Sequence, residues 1–347
     1  MYFSHIFINK NTMKKTLFIL KKRSIYSDGT YSNVDSGLFN SAKLVNDMLV
    51  KNGVDSKIVQ VNDNNDIDRE CHLYKPDVVI IEALWVVPSK FEVLQKLHPR
   101  ITWVIRLHSE LPFIANEGIA MEWILEYVKY KNVVLASNSK YMCESLKDLL
   151  GVNIIYTPNY YPANLDFTVE DEIVDKTIKV GLFGAIRPLK NSLTQAVAAI
   201  NYAEKRNKIL ELHINSARVE QRGENVLKNL KALFKDSKHK LIEHDWLPHN
   251  EFIGLIKQMD ICLQVSLTET YNIVTADAVN SNVPIVTSKE ITFINPIGKV
   301  YSNKDTRKIE TKIQDNLEFK WLTVILNKLL LNWDANKAKK IWLKWLK

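Results

Sequence analysis

Apolar residues along this chain fall into short continuous runs separated by stretches with helical spacing, almost from end to end. TLFIL (16–20) reads as a buried strand. After a polar loop, Leu38, Ala42, Val45 and Leu49 recur at i, i+4, i+7 and i+11, the spacing of one helix face. SKIVQV (56–61), DVVIIEA (77–83), TWVIRL (102–107) and NVVLAS (132–137) follow, each with helical sequence between. Strands apolar on both faces that alternate with helices predict a parallel sheet covered on both sides. The pattern pauses at YTPNYYPANLDFTVEDEIVD (156–175), which holds two prolines and an acidic run and reads as an interdomain linker. A second series, KVGLFGA (179–185), ELHIN (211–215), KLIEHD (240–245), ICLQVS (261–266) and VPIVTS (283–288), predicts a second sheet of the same kind. The expected architecture is α/β, with two doubly wound Rossmann-like domains, 13–160 and 176–317, facing each other across a cleft. The tail, EFKWLTVILNKLLLNWDANKAKKIWLKWLK (318–347), is helical, basic and rich in tryptophan. It is expected to form closing helices packed back on the domains, with Trp321, Leu322, Ile325 and Leu329 as the buried stripe. The competing reading is a membrane-surface helix.

A length of 347 residues suits two domains, and 46% hydrophobic with 25% charged residues is an ordinary globular balance that excludes disorder, collagen and coiled coil. Cys71, Cys143 and Cys262 stand far apart with no CxxC pair, which supports neither a disulfide framework nor a zinc site. The longest apolar run, VVIIEALWVV (78–87), is broken by Glu82 and falls short of the roughly 20 residues of a membrane span. A soluble, cytoplasmic monomer is expected, starting functionally at Met13 with residues 1–12 as an optional extension. Lys and Arg number 47 against 39 Asp and Glu, a net charge of +8 that favours a polyanionic partner. Glycine is scarce, 10 in the chain, which weighs against glycine-rich phosphate loops.

Ligands of open α/β sheets sit at the carboxyl ends of the strands, so the loops there hold the candidate chemistry. In GLFGAIRPLKN (181–191) a strand ends near Gly184, and Arg187 and Lys190 stand before a helix that begins near Asn191. Two cations beside a helix N-terminus, itself worth about half a positive charge, can hold a diphosphate. The alternative is a solvated basic turn. In SLTETYNIVTADAVNSNVPIV (266–286) Glu269 follows a strand, a helix begins near Tyr271, and Asp277 lies eight residues after Glu269. Both carboxylates can accept hydrogen bonds from hydroxyls, and the N–H groups of Tyr271, Asn272 and Ile273 are free for phosphate oxygens. An acidic cap on a core helix is the plainer alternative. In RLHSELPF (106–113) His108 follows a strand of the first domain and so faces the second, although a lone histidine is often structural.

These segments, with NVVLASNSKYMCESLK and YTPNYYP, resemble the GT-B glycosyltransferases, more narrowly the retaining, nucleotide-sugar-dependent family 4 type, over nearly the whole chain. The resemblance implies that Arg187 and Lys190 bind the donor diphosphate, with Gly184 at the turn, and that Glu269 holds donor-sugar hydroxyls. It further implies that Asp277 stands for the glutamate that binds ribose, that His108 contacts the sugar near the anomeric centre, and that Ser36 and Gly37 replace a Gly-Gly turn. The chain departs from the family where Glu-Gly-Phe-Gly becomes Glu269-Thr270-Tyr271-Asn272. The implied donor is a nucleotide-diphosphate sugar, UDP-sugar favoured, with no obligatory metal and no cofactor. Asp66-Ile67-Asp68 is a DxD of the kind GT-A enzymes use for a divalent ion, but it lies in a polar loop where such pairs arise by chance. His239, His244 and His249, five apart, read as surface or groove residues.

For the acceptor, the basic first loop with Lys22, Arg23, Tyr26 and Tyr31 suits a nucleic-acid backbone and stacked bases. The compact form is similar to glycosyltransferases of tailed phages, which implies a hydroxymethylated base in double-stranded DNA as acceptor and, if phage-encoded, host cytoplasm as the place. A cell-surface glycan or lipid-linked acceptor is the alternative, and a non-catalytic sugar-nucleotide or DNA-binding module the second.

Overall fold

The computed structural model describes residues 13–22, 24–27, 30–33, 37–168 and 176–347. Ser36, Arg23 and the proposed extension 1–12 lie outside the described residues.

The first half builds a six-stranded parallel sheet. Its chain order is β1 (Thr16–Lys21), a hairpin of β2 (Ser24–Ser27) and β3 (Thr30–Asn33), α1 (Gly37–Lys51), β4 (Ser56–Val61), α2 (Asp66–Tyr74) and β5 (Val78–Glu82). α3 (Lys90–Leu97), β6 (Thr102–Leu107), α4 (Leu111–Ile114), α5 (Ala120–Tyr127), β7 (Val133–Ser137), α6 (Lys140–Leu150) and β8 (Ile155–Tyr156) complete it. The sheet order is β4-β1-β5-β6-β7-β8. Alternation within each strand divides the core between the two faces. Leu17, Ile19, Val79, Ile81, Trp103 and Ile105 pack on one side, and Phe18, Leu20, Val78, Ile80 and Val104 on the other.

The second half repeats the plan. β9 (Thr177–Leu182), α7 (Ser192–Lys205), β10 (Ile209–Asn215), α8 (Glu224–Phe234), β11 (Lys240–His244), α9 (His249–Ile256) and β12 (Ile261–Gln264) are followed by α10 (Ile273–Asn280), β13 (Ile285–Ser288) and β14 (Lys299–Val300). The order β11-β10-β9-β12-β13-β14 is again all parallel. In both sheets the order reverses beside the first strand, β1 and β9, which creates the crevice where α/β sheets take ligands.

α11 (Thr306–Glu318) and α12 (Lys320–Trp345) close the fold. α12 spans both halves: Leu331 joins a core cluster of the second, and Trp342, with Leu346 just beyond the helix, joins the first. The covered edge of α12 is not the stripe the sequence suggests. Trp321, Leu322 and Leu329 are 63%, 39% and 48% exposed, and Ile325 is half-buried. The buried edge runs Val324, Lys328, Leu331, Ala335, Ala338 and Trp342, alternating steps of four and three. Small residues at 335 and 338 let the helix axis approach closely, and the bulky stripe has no such surface to meet.

Candidate active site

The start of α1 and the loops that follow β6, β7, β9 and β12 meet between the halves. On the second half β9 is followed by Gly184, whose φ of 109° is a conformation that side chains rarely adopt. Lys190 pairs with Glu269 Oε1, and Ser266 Oγ and Asn272 Nδ2 donate to the same oxygen at 3.1 and 3.2 Å. Oε2 accepts nothing from the described residues, so it stays available to a ligand hydroxyl. Burial pulls the Lys190 ammonium below the ordinary lysine value, and Glu269 opposes that pull. Arg187 lies 4.8 Å over the Phe113 ring of the first half and 3.5 Å from Glu220, and its buried Nε has no partner among the described residues.

The side chain of Asn272 caps α10 by accepting from Thr275 N at 2.9 Å. The N–H groups of Tyr271, Ile273 and Val274 donate to no acceptor among the described residues. They therefore form an anion-receptive helix start. It faces the N-terminus of α1, because a Cβ on Gly37 would lie 3.5 Å from Ile273 Cγ2. Tyr271 offers only its backbone here, since its ring packs 4.9 Å from Phe293.

Beside this helix start a cleft of about 460 Å³ is lined by Gly37 and Asn40 from α1 and by Gly184, Asn215, Trp246, His249, Phe252 and Asp277 from the second half. Trp246 and Phe252 give apolar walls, and Asp277 gives a carboxylate that accepts from Tyr161 Oη at 2.7 Å and lies 2.8 Å from His249 Nε2. Tyr161 comes from the linker, which thereby touches the cleft floor.

On the first half, β5 and β6 place Glu82 opposite Arg106 in register, both fully buried. His108 Nε2 contacts Glu82 Oε2, and Asn138 Nδ2 lies 3.5 Å from His108 Nδ1. Burial alone would raise the Glu82 carboxyl, but Arg106 and His108 overcome that and hold it below the ordinary carboxylate value. Burial pulls His108 below the ordinary histidine value, against the opposing pull of the Glu82 carboxylate. Both ring nitrogens of His108 are thus engaged inside the first half, Nε2 by Glu82 and Nδ1 by Asn138.

The halves are joined at this point. Thr270 Oγ1 donates to His108 O at 3.0 Å and accepts from Asn138 Nδ2 at 3.1 Å. Thr268 Oγ1 donates to Glu110 Oε2 at 3.3 Å, and Ser139 Oγ donates to Glu110 Oε1 at 2.6 Å.

A scan against protein-family models and a search of curated proteins both find no match to this sequence. Solved structures do match, over nearly the full length. A sucrose-phosphate synthase from Thermosynechococcus elongatus superposes with a TM-score of 0.64 at 12% identity, covering 95% of this chain and 97% of that one. A trehalose-6-phosphate synthase gives 0.70 at 10% identity, covering 95% and 98%. An alpha-glucosyltransferase in complex with UDP-glucose and DNA containing an abasic site gives 0.58 at 12% identity, covering 95% of each chain. The fold is that of the GT-B glycosyltransferases.

Of the residues the sequence singles out, Gly37, Gly184 and Asp277 line the cleft, Lys190 pairs with Glu269 beside the start of α10, Arg187 reaches Phe113 of the first half, and the His108 carbonyl meets Thr270. Lys22 is exposed at the end of β1, and Tyr26 and Tyr31 are paired residues of the β2–β3 hairpin. That hairpin occupies part of what the sequence presents as a polar loop. Asp66 and Asp68 sit in the first turn of α2, where Asp66 accepts from Asn62 N at 3.0 Å and Asp68 lies 2.7 Å from His98. No group of metal-ligating residues occurs among the described residues. Of the three spaced histidines, His249 lines the groove as expected, and His244 stacks on His213 at 5.1 Å. His239 is 3% exposed, because its Nδ1 accepts from Leu210 N and fixes it inside the second half. Glu82, Arg106, Glu110, Asn138, Tyr161, Thr268 and Thr270 are site residues that sequence reasoning passed over. The available signal was a charge inside each of two adjacent apolar strands, Glu82 and Arg106, followed two residues later by His108.

Proposed function

We propose that this chain is a glycosyltransferase that moves a sugar from a nucleotide-diphosphate sugar, UDP-sugar favoured, to a hydroxyl acceptor with retention at the anomeric carbon. The observation that carries the reading is the partly buried Lys190–Glu269 pair beside the open N-terminus of α10, at the junction of the two halves. Breaking the bond from the anomeric carbon to the phosphate oxygen leaves negative charge on the diphosphate. Lys190, Arg187 and the helix N–H groups are already in place to receive that charge, which is usually the largest catalytic contribution. Glu269 Oε2 accepts from a sugar hydroxyl, Asp277 from the ribose, and the ring of His108 bounds the sugar from the other side. For a front-face reaction the acceptor hydroxyl attacks from the side the phosphate leaves, and its proton passes to the departing phosphate oxygen. No separate base is needed. Lys190→Ala and Glu269→Ala should each lower transfer at least a hundredfold while the protein stays folded. Near-normal turnover in either variant refutes the site assignment.

The proposed acceptor is a hydroxymethylated base in double-stranded DNA. It is supported by the net charge of +8, by Lys22 exposed beside the hairpin of Tyr26 and Tyr31, and by the structural likeness to an enzyme solved with DNA. An acceptor base inside a duplex has to be flipped out to reach the groove. Incubation with labelled donor and hydroxymethylcytosine DNA at two salt concentrations tests it: transfer should fall steeply with salt, and salt-independent transfer counts against DNA. The exposed face of α12, with Trp321, Leu322, Leu329 and Trp333 followed by Lys339, Lys340, Lys344 and Lys347, favours a second reading, a lipid-linked or surface-glycan acceptor met at an anionic membrane. No described helix is long and apolar enough to cross a membrane.

A further inference from the structure

We infer that Thr270 is a positioning residue whose hydroxyl bolts the donor loop of the second half to the His108 wall of the first, holding the two reacting walls in register. The inference rests on the glycosyltransferase reading.

Its basis is that three successive side chains divide between the two halves. Between β12 and α10 the segment Thr268-Glu269-Thr270 sends Glu269 into the second half, to Lys190, and sends both threonines across the groove. Thr270 uses its single hydroxyl twice. It donates to His108 O at 3.0 Å and accepts from Asn138 Nδ2 at 3.1 Å. It therefore spans the ends of both β6 and β7, next to the carboxylate that meets the sugar. Thr268 adds a longer contact to Glu110 at 3.3 Å. Glycine, the residue that the family pattern puts at this position, has no side chain with which to form either bond. The groove wall consequently carries a tie that depends on one oxygen atom.

The donor diphosphate is held by Lys190, Arg187 and the start of α10, all on the second half, and the Thr270 hydroxyl bonds to none of them. Loss of the tie should leave donor binding intact while the first half drifts from the sugar, so the effect belongs in kcat rather than KM. A geometric error of about 1 Å at a reacting centre can cost a hundredfold, so a tenfold loss is a moderate expectation.

The experiment compares Thr270→Val, which keeps the shape and removes the hydroxyl, with Thr270→Ser, which keeps the hydroxyl. Turnover of UDP-sugar in the full chain and small-angle X-ray scattering of the same samples are the two readouts. Thr270→Val should lower kcat about tenfold at unchanged donor KM and increase the radius of gyration, and Thr270→Ser should match the parent in both. A valine variant with the parent's kcat and dimensions overturns the inference. So does a serine variant that fails as the valine variant does. If the parent itself turns over no nucleotide sugar, the enzymatic reading falls. An opened valine variant would then show that the tie exists without a reaction to position, and the positioning role falls with the enzyme.

Discussion

Arg106→Met should destabilise the first half by about 3–5 kcal/mol, the cost of stranding one charge of a buried pair. The size follows from what the guanidinium holds. Its NH1 reaches both oxygens of Glu82 at 3.0 and 3.2 Å, and NH2 reaches Thr157 O at 2.9 Å and Asn159 Oδ1 at 2.6 Å. It also stands 5.3 Å from the Trp342 ring. Methionine fills most of the volume but donates to none of these acceptors, and each buried acceptor left alone costs about 1–3 kcal/mol. The double variant Glu82→Leu/Arg106→Met removes the stranded charge and should recover a large part of the loss. Urea unfolding followed by far-ultraviolet circular dichroism measures the parent, Arg106→Met, Glu82→Leu and the double variant. A single-variant loss under 1 kcal/mol, or a double-variant loss equal to the sum of the singles, refutes the account. Acid adds an independent check. The folded Glu82 carboxyl lies below its ordinary value of 4.5, so its stabilisation is full above that value and disappears as pH falls through the folded one. The parent should therefore lose its advantage over Arg106→Met on acidification.

Trp342→Ala should cost about 3–5 kcal/mol, because that side chain is 1% exposed, packs 5.9 Å from Phe18 and donates to Pro158 O at 2.8 Å. Trp321→Ala, at 63% exposure, should change stability by under about 0.5 kcal/mol, and thermal unfolding of the pair distinguishes the two edges of α12. His213 is held down to about 4 by burial and by the neighbouring His244, against 6.5 in the unfolded chain. Between those values the unfolded chain binds the extra proton, so stability should drop as pH falls from 6.5 towards 4, and His213→Gln should flatten that slope in denaturation curves.

Strand positions, the two-sheet plan and most of the donor loop can be read directly from this sequence, and the reason is local. A parallel strand buried on both faces must be a continuous apolar run, and its carboxyl end must be followed by the loop that carries chemistry. Gly184, Arg187, Lys190, Glu269 and the start of α10 all lie within a few residues of such an end, so their neighbourhood was legible. The hairpin of β2 and β3 was not, since its short polar strands carry no hydrophobic signal.

What the tertiary structure alone decided is everything that depends on residues far apart in the chain meeting. Glu82 and Arg106 look like blemishes in apolar runs until register sets them side by side beside His108. Thr270 reads as a departure from a glycine pattern until the other half brings His108 and Asn138 to its hydroxyl. The scarcity of glycine has the same resolution. At the groove Gly37 and Gly184 stand where a helix start comes close and φ is positive, while Thr270 puts a side chain that ties the halves where the family pattern has glycine. For α12 the periodicity was equally compatible with more than one buried edge. Which one is covered depends on how closely a helix can approach two sheets at once, and small residues at 335 and 338 permit that only on one side.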